Sequence, residues 1–198
     1  MLTKTKLGLN LPTDPRWVNM AEISLEEILT DHAYCEQKAA TACISLIQQY
    51  PDREELVVEL APIVTEEWGH FRLVLKELKK RNLELGYQRK DEYVNKLIDN
   101  QRKGGSREDR LLEKLLTCAL IEARSAERFR LLSLHISDDN LKEFYHNFMV
   151  SEAGHYKLFL DLAKKYFGEE KAMDRWQEYL ITEAKIMESL PLREDRMH

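Results

Sequence analysis

Residues 66–70 read Glu-Glu-Trp-Gly-His, and residues 151–155 read Ser-Glu-Ala-Gly-His. Each stretch contains a Glu-x-x-His pair, and a lone glutamate, Glu36 or Glu122, precedes the pair by 31 or 30 residues. The second copy is shifted from the first by 85 or 86 residues. The chain therefore contains one set of acidic and imidazole side chains twice.

These side chains lie in register with apolar residues three or four positions apart, the pattern of the buried face of a helix. Each lone glutamate and each Glu-x-x-His pair has such a row. The rows, in chain order, are Leu29, Ala39, Cys43 and Leu46; Leu56, Leu60, Ile63, Val74 and Leu78; Leu112, Leu115, Ala119, Ala126 and Phe129; Leu141, Tyr145, Phe148, Phe159 and Leu162. A Glu and a His three residues apart project about 60° from each other, one turn on, and can bind one ion together. The pattern predicts six candidate metal ligands that face a helical core: Glu36, Glu67, His70, Glu122, Glu152 and His155.

The chemistry of this set favours two divalent metal ions. Burying four carboxylates without compensation would be very costly. Two divalent cations balance the four negative charges, and mixed oxygen and nitrogen donors suit iron or manganese. Two lone glutamates with two Glu-x-x-His pairs are the set that ferritin-like bundles use, so we expect two iron ions.

A third Glu-x-x-His pair, Glu143 with His146, tests how specific the motif is. Nine residues separate Glu143 from Glu152, about 900° of helical rotation, so the two glutamates lie on opposite sides of one helix. We therefore interpret Glu143 and His146 as surface or interhelical residues. The duplicated pattern, not the isolated motif, carries the metal hypothesis.

Composition agrees with one soluble helical domain over residues 1–198, with 43% hydrophobic and 33% charged residues and few glycines and prolines. No stretch approaches the length of an apolar membrane span, and the N-terminus lacks an apolar signal core. We therefore expect a cytoplasmic protein that does not bind membranes. The cysteines, Cys35, Cys43 and Cys118, form no C-x-x-C pair and are expected to be small core thiols.

Start and stop signals predict five main helices. We expect capping boxes at Ser24 and Ser106, helix starts at Asp52 and Ser137, and a bend at Pro62. The predicted helices cover about residues 24–49, 52–81, 106–134, 137–167 and 173–189. About 25 residues between the second and third helices form a long crossover, with a short helix near 91–101. The predicted fold is all-α, a ferritin-like four-helix bundle with a long crossover and an additional C-terminal helix.

Residues 76–114 form the most basic stretch, with twelve Lys or Arg against eight Asp or Glu in a chain of net charge −5. Charged residues exposed to solvent at helix ends explain this stretch as well as a phosphate-binding surface beside the metal site does. On the second interpretation the candidate RNA-binding residues are Lys79, Lys80, Arg81, Arg89, Lys90, Arg102 and Lys103.

Several segments closely resemble the tRNA hydroxylases called MiaE, over about residues 20–190. The matching segments are Asp31–Ala40, Glu66–His70, Leu78–Arg81, Ile121–Phe129, Phe144–His146 and Ser151–Tyr156. The string Ile-Glu-Ala-Arg-Ser at 121–125 is the most specific, because generic ferritins share the ligand spacing but lack it.

The resemblance implies a non-haem di-iron monooxygenase that hydroxylates the isopentenyl group of 2-methylthio-N6-isopentenyladenosine at position 37 of tRNA. It implies O2 as co-substrate and carries the same six residues over as iron ligands, with Glu67 and Glu152 bridging as in di-iron proteins generally. The chain has no nucleotide or flavin fingerprint, so an external electron-transfer protein or reductase is expected.

Neighbouring residues suggest supporting roles. We expect Glu66 to accept a hydrogen bond from the outer nitrogen of His155, and Ser151 to occupy the matching place in the other half. Arg124 and Arg128 are interpreted as structural partners of acidic residues, with a substrate role as the alternative.

Three classes of function stay open: the tRNA hydroxylase or a di-iron hydroxylase of another aliphatic substrate, a ferritin-like iron oxidase or storage protein, and a metal-free helical interaction module. The fold alone does not decide among them.

Overall fold

A computed structural model describes residues 5–193 and 196–197, and all its regular elements over these ranges are α-helices. The helices are α1 (Arg16–Ile23), α2 (Leu25–Gln49), α3 (Glu54–Lys80), α4 (Glu92–Asp99), α5 (Arg107–His135), α6 (Asp139–Phe167) and α7 (Glu169–Ser189). The four long helices, the short crossover helix and the additional C-terminal helix all appear in the predicted order.

The chain divides into two compact units, with the boundary inside α1. The α2–α3 unit consists of Met20–Lys90 and a segment after α7 that ends at Met197. The α5–α6 unit consists of the residues up to Asn19 and Asp91–Leu192, which contain α4 to α7. Both units are discontinuous in sequence.

Helices α2 and α3 form a hairpin around an apolar seam. Its buried residues are Ile28, Leu29, Ala33, Ala40, Cys43 and Leu46 from α2, and Leu56, Leu60, Ile63, Val74 and Leu78 from α3. The backbone N–H of Arg53 donates to the carbonyl of Tyr50 (3.0 Å) in the tight turn between the helices. Beyond α7, the N–H of Met197 donates to Oδ2 of buried Asp31 (2.8 Å), so a distant stretch of sequence completes this unit.

Helices α5 and α6 form the second hairpin, and α7 packs against both. Ser106 and Asp109 make the predicted capping box at the start of α5. Gly168 separates α6 from α7 with a φ of 83°, a conformation that glycine adopts without a steric penalty. Arg175 on α7 donates to both carboxylate oxygens of Glu113 on α5, at 2.7 and 2.6 Å.

Four of the predicted helix starts are wrong in detail. Ser24 makes no side-chain capping bond, because α1 ends one residue before α2 and the N–H of Ser24 continues to the carbonyl of Met20 (3.2 Å). The N-cap of α3 is Arg53 instead of Asp52. That of α6 is Asp138 instead of Ser137, with Oδ1 of Asp138 accepting from two backbone N–H groups. Helix α7 also begins four residues earlier than predicted, directly after Gly168.

The first helix, α1, is absent from the predicted set. Its start signal is nevertheless present, since Asp14 and Pro15 precede it and the N–H of Arg16 donates to Oδ1 of Asp14 (2.9 Å). An eight-residue helix offers too few periodic positions to be recognised by pattern. None of the helices in the described ranges is long and apolar enough to cross a membrane.

Candidate metal centre

The α2–α3 unit brings three of the predicted ligands together. One donor atom from each of Glu36, Glu67 and His70 lies within 4.8 Å of the other two. Nδ1 of His70 lies 3.2 Å from Oε2 of Glu36 and 3.5 Å from Oε2 of Glu67. The carboxylates are buried and the imidazole is partly buried. Helix α2 supplies one donor and the Glu-x-x-His turn of α3 supplies two.

The α5–α6 unit repeats the arrangement. Donor atoms of Glu122, Glu152 and His155 lie within 4.8 Å of one another, and all three side chains are buried. Nδ1 of His155 lies 3.8 Å from Oε2 of Glu152. In both units, therefore, the same ring nitrogen faces the glutamate of its own Glu-x-x-His pair.

The chemistry of each donor set fits a divalent iron ion. Two carboxylates and one imidazole offer oxygen and nitrogen donors with no thiolate, a mixture suited to iron and manganese. The side chain of Glu67 is fully buried, so its charge is poorly screened by solvent. Each set carries two negative charges when its carboxylates are ionised, which one divalent cation balances.

A buried histidine in the same helical row as Glu36 contacts this ligand. Nε2 of His32 lies 2.7 Å from Oε1 of Glu36, one turn away on α2, and the His32 side chain has no exposed surface. The other oxygen of Glu36 faces His70. His32 therefore fixes the orientation of this carboxylate, in the way that groups behind metal ligands commonly do. The sequence places His32 four residues before Glu36, a spacing that a histidine packed in the core would share.

Glu66 lies beside a different imidazole from the one predicted. Its Oε1 is 3.8 Å from Nε2 of His70, one turn further along α3, while Nδ1 of that ring faces Glu36 and Glu67. Glu66 therefore lies near the outer nitrogen of His70, at a distance longer than a hydrogen bond. The pairing of Glu66 with His155 and the role of Ser151 stay predictions.

The third Glu-x-x-His pair is on the surface. Glu143 and His146 are both exposed on α6, whereas Glu152 on the same helix is buried. The interpretation of this pair as surface residues is confirmed. Position around the helix therefore distinguishes the buried Glu-x-x-His pair of α6 from the exposed one, as expected.

Arg124 is a fully buried structural residue. Its Nε and Nη2 donate to Oε1 of Glu183 (2.8 and 2.6 Å), and its Nη1 donates to Oε2 of Glu127 (3.1 Å). Nη1 also donates to the hydroxyl of Thr13 (3.1 Å), and Nη2 donates to the carbonyl of Leu11 (2.8 Å). Burial raises the pKa of Glu183, and the positive charge of Arg124 opposes that rise. The arginine of the Ile-Glu-Ala-Arg-Ser string thus joins α5, α7 and the N-terminal segment.

Arg128 lies one turn further along α5 and is also buried. Its guanidinium carbon lies 4.7 Å from the ring centroid of Trp17, the geometry of a cation–π contact. Arg128 therefore packs the start of α1 against α5. These contacts favour a structural role for both arginines.

Several of the predicted RNA-binding cations face acidic partners. Arg81 and Lys80 lie 2.7 and 3.7 Å from Glu77, Arg102 lies 2.7 Å from Glu178, and Arg89 contacts Glu27. The other three, Lys79, Lys90 and Lys103, are exposed or partly exposed. RNA binding by this set stays a prediction, and the ion pairs reduce the free positive charge of the crossover.

Comparison with known proteins identifies the family. The family model described as tRNA-(MS[2]IO[6]A)-hydroxylase (MiaE) matches residues 1–198. The chain belongs to the MiaE tRNA hydroxylase family. The resemblance inferred from the Ile-Glu-Ala-Arg-Ser string and the ligand motifs is thereby confirmed.

Two curated relatives carry the same name, tRNA 2-(methylsulfanyl)-N(6)-isopentenyladenosine(37) hydroxylase. The protein from Pseudomonas putida is 35% identical over 192 residues, which cover 96% of this chain and 91% of the relative. The protein from Salmonella typhimurium is 27% identical, with coverage of 96% and 87%.

A solved structure shares the fold. It is described as Protein 43 with aldehyde deformylating oxygenase activity from Synechococcus. It is 36% identical to this chain, covers 96% of it and 94% of its own length, and superposes with a TM-score of 0.90. The predicted all-α, ferritin-like fold is confirmed by this likeness and by the helix order.

Proposed function

We propose that this MiaE-family chain is a di-iron monooxygenase that hydroxylates the isopentenyl group of 2-methylthio-N6-isopentenyladenosine at position 37 of tRNA. The family match over residues 1–198 is the observation that carries the proposal. The two buried donor sets support it, because an oxygenase of this kind needs a place for redox-active metal. Since tRNA is the proposed substrate, we expect the protein to act in the cytoplasm.

We propose that the chain holds two ferrous ions, one at each donor set. One ion would be held by Glu36, Glu67 and His70. The other would be held by Glu122, Glu152 and His155. When bound, two ferrous ions supply the electrons and coordination positions for O2 chemistry that protein side chains lack.

The chain's own residues hold and shield this site. His32 keeps one oxygen of Glu36 turned away from His70, so the second oxygen is left for the metal. Burial of Glu67 and Glu152 excludes bulk water from the reacting centre, which protects an oxidising reaction from side products. Repeated turnover requires electrons from outside the chain, and we expect an electron-transfer protein or reductase as partner.

The test is hydroxylation of defined RNA. Purified protein is loaded anaerobically with ferrous iron, mixed with tRNA that carries the isopentenyl modification, and supplied with a reductant and O2. We expect nucleoside mass spectrometry to find one added oxygen on the prenyl group. Glu152→Ala should abolish the product and Glu143→Ala, in the exposed motif of the same helix, should not. Iron-loaded protein that leaves the nucleoside unchanged would contradict the proposal.

A second candidate function is oxygen-dependent cleavage of an aldehyde. It is favoured by the likeness to the Synechococcus oxygenase, which is as similar in sequence as the Pseudomonas putida relative. The same iron-loaded preparation is therefore incubated with an aliphatic aldehyde. Loss of the aldehyde, with no oxygen added to tRNA, would favour this candidate.

A further inference from the structure

The outer face of α3 carries an exposed tryptophan beside a metal-ligand candidate. Trp68 follows Glu67 directly, and about 100° of helical rotation turns its indole outward while the carboxylate is buried. Trp68 is 47% exposed, whereas Trp17 and Trp176 are 0% and 2% exposed. Its ring stacks on Phe71 at 4.9 Å between centroids and 27° between planes. Phe71 therefore holds the indole as a platform at the surface.

Cations continue this face along the helix. Arg72, Lys76 and Lys79 are exposed or partly exposed and lie within about 80° of Trp68 around the helix axis. Over the part of the chain that the structure describes, none of the three forms a salt bridge, in contrast to Arg81, Arg89 and Arg102. We call Trp68, Arg72, Lys76 and Lys79 the α3 face. It is about 16 Å long and combines a stacking surface with about 10 Å of uncompensated positive charge.

The internal duplication provides a built-in comparison. With the offset of 85 residues, Trp68 corresponds to Ala153, Arg72 to Lys157 and Lys76 to Asp161. The second copy thus keeps the ligand pair but lacks the aromatic ring, and an acid replaces one cation. Lys79 corresponds to Lys164, so two of the three cations are kept. Because the ligands are shared while the aromatic ring and one cation are not, we infer that Trp68 and Lys76 serve something other than metal binding.

We propose that the α3 face binds single-stranded RNA next to the modified nucleotide. Trp68 stacks on a neighbouring base, and Arg72, Lys76 and Lys79 contact phosphates. Bases stack on exposed aromatic rings in many single-strand and RNA-loop interfaces, and positive side chains follow the backbone. The inference rests on the proposed function, and it locates the RNA contact on α3 instead of on the crossover.

The experiment measures binding of a labelled anticodon stem-loop RNA that carries 2-methylthio-N6-isopentenyladenosine at position 37. We expect Trp68→Ala to weaken binding roughly tenfold and Trp68→Tyr to retain most of the affinity. The double variant Arg72→Ala/Lys76→Ala should flatten the dependence of log affinity on log salt by about 1.4, which is two lost phosphate contacts. Lys157→Ala, at the position that corresponds to Arg72, should bind as the wild type does.

Tryptophan fluorescence gives a second readout. Trp68 is the one tryptophan of the chain that is exposed, so a stacked base should quench the emission of the wild type and not that of Trp68→Phe. Unchanged circular dichroism and iron content in each variant would show that folding and metal loading are intact.

Wild-type affinity and salt dependence in Trp68→Ala and Arg72→Ala/Lys76→Ala would overturn the inference. If Tyr87→Ala, an exposed aromatic substitution in the crossover, weakened binding instead, the crossover would be the RNA site. If only reductase-dependent turnover fell in the α3 variants, the face would belong to the electron donor. In all these outcomes wild-type hydroxylation of tRNA would still stand, whereas its absence would count against the proposed function itself.

Discussion

Glu67→Gln should stabilise the metal-free protein and remove its response to metal. The substitution keeps the size of a fully buried side chain and deletes its charge. In the metal-free protein the carboxylates of Glu67 and Glu36 offer oxygens within 4.8 Å of each other. Two ionised groups at that distance repel by about 3.5 kcal/mol at an effective dielectric constant of 20.

The net gain in the free energy of unfolding is smaller than this repulsion. In the wild type, Oε2 of Glu67 lies 3.5 Å from Nδ1 of His70, and a neutral amide would interact more weakly with that ring than the carboxylate does. We expect metal-free Glu67→Gln to gain about 1–3 kcal/mol in the free energy of unfolding. For a chain of this size that corresponds to a rise of about 2–12 °C in Tm. Wild type should gain about 2.7 kcal/mol from a metal ion present at one hundred times its Kd. The variant should lose most of that gain.

The assay is thermal unfolding under anaerobic conditions, with and without Fe²⁺ or Mn²⁺, for wild type, Glu67→Gln and Glu143→Gln. Glu143 belongs to the exposed motif, so its neutralisation should change neither Tm nor the metal response. A metal-free Glu67→Gln protein that melts below wild type and keeps the full metal-induced rise would refute this reasoning. That result would mean that Glu67 is a structural residue and not a ligand.

Three further outcomes follow from named contacts. Arg124→Met should cost about 3–5 kcal/mol at pH 8, because it leaves the buried carboxylate of Glu183 ionised and uncompensated. Burial already raises the pKa of Glu183, so the loss of stability should shrink as the pH falls through the raised pKa and the carboxyl becomes neutral. Urea unfolding measures this, and a loss of stability that does not depend on pH would contradict it. Glu66→Gln should weaken metal binding about tenfold, because it removes a negative charge 3.8 Å from Nε2 of His70; metal titration measures this, and an unchanged affinity would contradict it. Ser106→Ala should lower Tm by a few degrees by removing the cap of α5, and an unchanged Tm would show that the cap adds no stability.

Helical periodicity made the ligand candidates predictable. Glu36, Glu67 and Glu122 fall in apolar rows, and the same phase argument correctly placed Glu143 on the surface. Arg124 and Glu127 are three residues apart on one helix, so that contact was within reach of periodicity. The other partners of Arg124 could not be predicted in this way, because they lie 59 residues further along, at Glu183, and more than 100 residues back. Spacing within one helix contains no information on such pairs.

Local rules were least accurate where two elements follow each other closely. Ser24 has the sequence of a helix cap, but α1 leads directly into α2 and uses its backbone N–H. The role of His32 was ambiguous for a different reason. A histidine at this buried position can simply pack in the core, or it can hydrogen-bond to a metal ligand, and the sequence pattern is the same in both cases. Only the 2.7 Å contact with Glu36 distinguishes these roles.

The contact between Met197 and Asp31 has a consequence for synthesis. The two residues are 166 positions apart, so the ribosome adds Met197 long after the rest of the α2–α3 unit has emerged. Until then the buried carboxylate of Asp31 lacks this amide donor. The hairpin that carries Glu36, Glu67 and His70 is therefore translated early but completed late, after α5, α6 and α7 have been made.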